Sequence, residues 1–292
     1  MEQTLRVGDR LRTFTVLGDP GGGAGRPLLL VLHGSKQDGA KHRRFTGGMY
    51  DALAEGGRAV VAYLDGYRGN WNDAREQSFF PARAEEVDDV AFVRAVVDDV
   101  VRRWGADPER VVVVGYSNGG QMVFRLLHEC PGLFSGAAVV AATMPDPESF
   151  RSSVPRPDAI NVPVVLANGT RDRIAAYGGG SMNQLLQHLF KVGGSGLSAP
   201  STARYLAERN GITTTPDVLR IRDVERTEYA APGRAPVTLL TLHGAGHTVP
   251  GPRSAPFVLG RTSHEVSMAD EVALLLGIDG VGPTGHAQDA PA

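Results

Sequence analysis

Four consecutive valines, Val111 to Val114, run directly into Gly115-Tyr116-Ser117-Asn118-Gly119-Gly120, and few arrangements satisfy both halves of that stretch. The valines suit a strand buried on both faces. Gln121 to Cys130, with Met122, Val123, Leu126 and Leu127 on one side, reads as the helix that follows. A Gly-x-Ser-x-Gly turn between strand and helix holds its serine hydroxyl exposed at the edge of a sheet. With 37 glycines in the chain the motif alone is weak, so this context carries it. The other glycine-flanked serines, Ser181 and Ser195, have no strand before them.

Further buried strands are expected over Leu28 to His33, Ala59 to Leu64, Ala137 to Thr143, Val162 to Asn168 and Val237 to Leu242, most of them separated by helix-period segments. Asp88 to Trp104 is the clearest helix, with Phe92, Val93, Val96, Val97, Val100 and Val101 as its apolar stripe. Tyr205 to Asn210 and Met268 to Leu276 end two more, before Gly211 and Gly277. Leu5 to Val7 and Leu11 to Val16 are expected to form a leading antiparallel hairpin through Gly8-Asp9. The alternation implies an α/β fold, a mostly parallel sheet with helices on both faces, whose chemistry gathers at the carboxyl ends of the strands.

At 292 residues and 42% hydrophobic content the chain can bury a full core, and no shift in composition divides it. We expect one domain over 1–278, with 178–200 as a lid or surface insertion and 279–292 as a disordered tail. Within that insertion Met182, Leu185, Leu186, Leu189 and Phe190 recur at helical spacing between glycine-rich flanks. A formal charge of −2 offers no basic field for nucleic acid. No stretch approaches the roughly 20 apolar residues that span a bilayer, and Met1 to Arg12 lacks a signal-type apolar core, so the expected location is cytoplasmic. The single cysteine, Cys130, agrees with a reducing compartment and reads as a small core or helix-end residue.

A serine hydroxyl needs a base to take its proton as it attacks, and histidine has the right pKa. Of the eight histidines, His247 lies in a glycine-rich loop after the Val237 to Leu242 strand. His243 reads as packed, His33 as orienting a loop, and His42, His128, His188, His264 and His286 as surface or helix positions. The base needs a carboxylate behind it, and Asp172 follows the Val162 to Asn168 strand; Asp146, Glu148 and Asp158 are its rivals. Ser117, Asp172 and His247 then stand after three different strands, in the chain order Ser, Asp, His. The oxyanion formed by attack on a carbonyl calls for two backbone N–H donors, which we assign to Asn118 and Ser35.

Leu32-His33-Gly34-Ser35 with Gln37, Trp71-Asn72-Asp73, Val87-Asp88-Asp89-Val90-Ala-Phe92, Gly115 to Gly120, Asn168-Gly-Thr-Arg-Asp172 and Gly246-His247-Thr-Val-Pro-Gly251 occur in that order. Together they resemble the polyhydroxybutyrate depolymerase and feruloyl or acetylxylan esterase group of α/β-hydrolases. The resemblance implies the α/β-hydrolase fold and cleavage of carboxylic esters through an acyl-enzyme. It assigns nucleophile, carboxylate and base to Ser117, Asp172 and His247, with no metal or organic cofactor. Its implied partner is a small-molecule or oligomeric ester; no nucleic acid or membrane is expected, and oligomeric state is not encoded. Relatives in that group are commonly secreted and disulfide-bonded, and often carry tryptophan where this chain has Val249.

His33, Tyr116, Trp71 and Asn72 are the candidates for substrate binding; for Trp71 and Asn72 anchoring of their loop is equally open. Asp88 and Asp89 read as helix-starting carboxylates. The same machinery serves thioesters, lactones and amides, and a non-catalytic binding protein on this fold is the alternative of a different class.

Overall fold

The computed structural model describes residues 1–151, 153, 159–181 and 192–278, and in it the apolar runs form the middle of a ten-stranded sheet. On one side lie β1 (Glu2–Val7) and β2 (Arg10–Leu17), the expected antiparallel hairpin, with β2 pairing antiparallel to β4 (Val60–Leu64). The parallel centre runs from β4 through β3 (Arg26–Leu32), β5 (Ala106–Tyr116), β6 (Gly136–Val140) and β7 (Val164–Gly169) to β12 (Val237–Leu242). Beyond it, β11 (Val224–Tyr229) and β10 (Asp217–Ile221) add an antiparallel edge that sequence patterning does not reveal. A separate ribbon pairs β8 (Gly180–Ser181) with β9 (Ser195–Gly196).

Side chains of a strand alternate between faces, so a strand buried on both sides feeds two cores. Leu28, Leu30, Leu32, Val111 and Val113 enter one, while Leu29, Val31, Val112 and Val114 enter the other. The first core is closed by helices α4 (Asp89–Trp104), α5 (Asn118–Glu129) and α6 (Ala199–Arg209), through Phe92, Val96, Leu126 and Leu206. Leu53 of α2 (Asp51–Ala54) and Val272 of α7 (Met268–Leu275) close the second. Helix α4 begins where the Asp88 carboxylate accepts the Ala91 N–H at 2.8 Å and ends where Gly105 turns left-handed at φ 66°. Shorter helices α1 (Gly39–Phe45) and α3 (Pro81–Ala84) punctuate the loops after β3 and β4.

The segment 182–191, where Met182 to Phe190 suggest a helix, and the tail 279–292 lie outside the described residues. Among the described residues no helix is long and apolar enough to cross a membrane.

Candidate active site

Ser117 follows the last residue of β5 and precedes the first of α5. Reversing from strand to helix in one residue puts it at φ 54°, ψ −114°, a backbone that an L-residue adopts only under constraint. Two glycines make the reversal possible. A Cβ on Gly115 would stand 2.3 Å from the Gly119 carbonyl oxygen, and one on Gly119 would stand 2.4 Å from that of Leu32. The turn therefore folds onto itself and onto the end of β3, leaving Ser117 half-buried while residues 111–116 and 118–120 are buried.

The structure brings Asp172 and His247 to this serine from the loops after β7 and β12. Nε2 of His247 lies 2.9 Å from Ser117 Oγ, and its Nδ1 lies 2.7 Å from Asp172 Oδ2. The other Asp172 oxygen accepts the N–H groups of Ile174 and Ala175, both at 2.8 Å, which fixes the carboxylate. The His247 loop is held in turn: its N–H donates to Leu259 O at 2.7 Å, and its carbonyl accepts the Tyr116 hydroxyl at 2.8 Å. With both side chains buried, the ion pair formed when the imidazole takes a proton is shielded from water.

After β3, the N–H of Gly34 donates to Gln37 Oε1 and that of Lys36 to Gly69 O. Between them the Ser35 N–H has no acceptor among the described residues, nor has the N–H of Asn118 on the first turn of α5. Both residues line one cleft with Ser117 and His247, a cavity of about 240 Å³.

The four residues proposed from sequence to bind substrate lie behind that cleft instead of in its wall. Trp71 and Asn72 are fully buried. The Trp71 indole N–H donates to His33 O at 2.9 Å, its backbone N–H to Asn118 Oδ1 at 2.9 Å, and Asn118 Nδ2 to Asp73 Oδ2 at 2.5 Å. The Trp71-Asn72-Asp73 segment thus brackets the Gly115–Gly120 turn against the end of β3. Asp89 holds the bracket from below, accepting the Asn72 N–H at 2.7 Å and pairing with buried Arg12 at 2.6 Å. Burial pushes the Asp89 carboxyl above its ordinary range, and Arg12 opposes that rise. Asp88 does start the helix, whereas Asp89 is this buried link.

His33 is also buried. Its Nδ1 donates to Gly34 O at 2.7 Å and its Nε2 accepts the Gly66 N–H at 2.8 Å, so the ring is neutral, and burial lowers its pKa to about 4. Tyr116 packs between His42 and His247, with ring centroids 5.7 and 5.2 Å away. His42 and His128, expected at surface or helix positions, lie in helices α1 and α5 and are buried. His243 faces Glu225 at 3.4 Å, and Asp146 accepts the Ser149 N–H. His188, His286 and Asp158 lie outside the described residues.

The cleft is walled by residues that patterning does not single out, among them Arg75, Phe80, Gln121, Thr143 and Arg173, together with Ser181 and Ser195 of the β8–β9 ribbon. Gln121 opens the helix read from sequence and Thr143 ends a strand read from it, but neither pattern says that they face a cleft; the loops of the others carry no periodic signal.

The chain is similar to a protein of Nocardia uniformis subsp. tsuyamanensis named "Putative esterase NocK", 30% identical over 298 residues that cover 93% of this chain and 81% of that protein. It is also similar to feruloyl esterase B of Piromyces equi, 25% identical over 76% of this chain and 39% of that protein. In fold it is similar to the acetyl xylan esterase from Aspergillus awamori, with a TM-score of 0.61 at 16% identity over 95% of this chain and 99% of that one. No family model matches the chain.

Proposed function

The chain belongs to the esterase family of α/β-hydrolases, and we propose that it hydrolyses carboxylic esters through an acyl-enzyme formed on Ser117. The observation that carries this reading is the continuous line of hydrogen bonds from Asp172 through His247 to Ser117.

Ser117 Oγ attacks the ester carbonyl as His247 Nε2 takes its proton. Asp172 keeps the imidazole in the Nδ1–H tautomer and stabilises the imidazolium. The N–H groups of Ser35 and Asn118, which have no other acceptor among the described residues, donate to the oxyanion. His247 then protonates the leaving alcohol, and the acyl group stays on Ser117. A water enters, gives its proton to His247 and attacks the acyl carbonyl; collapse frees the acid and restores the serine. Burial of Tyr116, Trp71 and Asn72 makes them holders of the base loop and the oxyanion turn, outside contact with substrate. A small-molecule or oligomeric ester is the expected substrate, and the lone thiol of Cys130, pushed up to about 11 by burial, fits the reducing cytoplasm.

The test is Ser117→Ala. It should keep its circular dichroism and melting transition, lose hydrolysis of 4-nitrophenyl acetate, and lose labelling by a fluorophosphonate. Retained turnover in that variant would end the proposal.

A further inference from the structure

The chain is formally negative, yet the described residues walling the cleft include two arginines, Arg75 and Arg173, and neither aspartate nor glutamate. Three carboxylates beside the cleft are already engaged. Asp172 serves His247 and two backbone N–H groups. Asp146 takes the Ser149 N–H. Asp73 takes Arg75 on both oxygens and the Asn118 amide on one of them.

The two guanidinium groups differ. Arg75 is fixed, with Nε and one terminal nitrogen on Asp73 and the Phe80 ring centroid 5.8 Å from its central carbon. Its other terminal nitrogen has no acceptor among the described residues. Asp73 offsets most of its charge, so Arg75 offers a directional N–H more than a field. Arg173 is exposed and makes neither a hydrogen bond nor an ion pair among the described residues, so none of those residues neutralises its charge. It directly follows Asp172, and Arg75 is one shared carboxylate from Asn118. Both cations therefore line the same cleft as Ser117, where an ester carrying an anionic group could meet them.

We infer that this site selects esters that carry a carboxylate, bound by Arg173 at the cleft wall with Arg75 as a second donor. The inference rests on the serine-esterase reading above and adds the charge of its substrate. A carboxylate can stand on either side of the scissile bond, on the acyl group or on the alcohol.

Two matched substrate pairs test it with the full chain. The acyl pair is 4-nitrophenyl valerate and 4-nitrophenyl hemiglutarate; the alcohol pair is phenyl acetate and 4-acetoxybenzoate, all corrected for uncatalysed hydrolysis. In at least one pair the anionic ester should have the higher kcat/KM. That preference should shrink as salt is raised, and the anionic-to-neutral ratio should fall about tenfold in Arg173→Gln, the size of one charge-assisted hydrogen bond. The pair that shows the preference identifies the side that carries the carboxylate. A ratio at or below one in both pairs, or a ratio unmoved by Arg173→Gln, overturns the inference while leaving the esterase reading intact. No hydrolysis of any of the four esters overturns both.

Discussion

Mild acid should unfold this protein by way of two buried histidines. His33 is neutral by construction: Nδ1 gives its proton to Gly34 O, and Nε2 receives the Gly66 N–H, so a second ring proton would point at another donor. Its pKa is lowered to about 4, chiefly by burial. His42, stacked on Tyr116 with Nδ1 3.2 Å from Gln37 Oε1, is lowered to about 3 for the same reason, with the His33 charge as a smaller cause. In the unfolded chain both rings take a proton near pH 6.5. A folded pKa below the unfolded one means stability fully present above pH 6.5 and lost as the pH falls toward the folded values. At pH 5 each ring withholds about 2 kcal/mol, so the pair removes about 4 kcal/mol between pH 7.5 and 5, a large share of a typical domain's stability.

Urea unfolding followed by tryptophan fluorescence at those two pH values measures the loss. His42→Phe keeps a ring beside Tyr116 and removes one titration, so its loss should be smaller than the wild type's by about 2 kcal/mol. The reasoning is refuted if His42→Phe and wild type lose the same stability. It is equally refuted if ring-proton resonances of the folded protein show His33 and His42 titrating near pH 6.5.

Two further substitutions probe the scaffold of the site. Gly119→Ala forces a methyl to within 2.4 Å of Leu32 O and 2.6 Å of His33 O, both backbone atoms. It should cost about 3 kcal/mol in urea melts and lower kcat with the turn displaced. A variant with wild-type stability and turnover would show that the turn is not so tightly closed. Asp89→Ala leaves Arg12 charged and buried without its partner and should destabilise by about 3–5 kcal/mol, against a smaller loss in Arg12→Met/Asp89→Leu. Equal melting temperatures for the single and double variants would contradict a buried pair.

The central strands were legible because strands covered on both faces read as unbroken apolar runs. Val237 to Leu242 is found with those bounds, and Val111 to Val114 sits inside a longer strand. The edge strands β10 and β11 were not, since Asp217 to Ile221 is exposed on both faces and Val224 to Tyr229 only half-buried, which leaves nothing to alternate. At the site, chain order brought out Ser117, Asp172 and His247, because each follows a strand whose end is fixed by the sheet. Trp71 and Asn72 illustrate the limit. Their closeness to a strand end is visible in sequence, but whether a loop side chain faces solvent or the interior depends on what crosses behind it. Here Asn118, His33 and Asp89 cross behind and claim the segment.

The salt link between Arg12 and Asp89 also bears on how this protein can be cut or grafted. The opening hairpin looks detachable, since the parallel centre and the loops bearing Ser117, Asp172 and His247 all follow it in the chain. Yet β2 sends Arg12 inward to the carboxylate that supports Asn72, so the opening hairpin is wired in two steps to the segment that backs the Ser117 turn. A minimal catalytic unit therefore starts at β2, and a chimera that joins these active-site loops to another sheet must import position 12 with them.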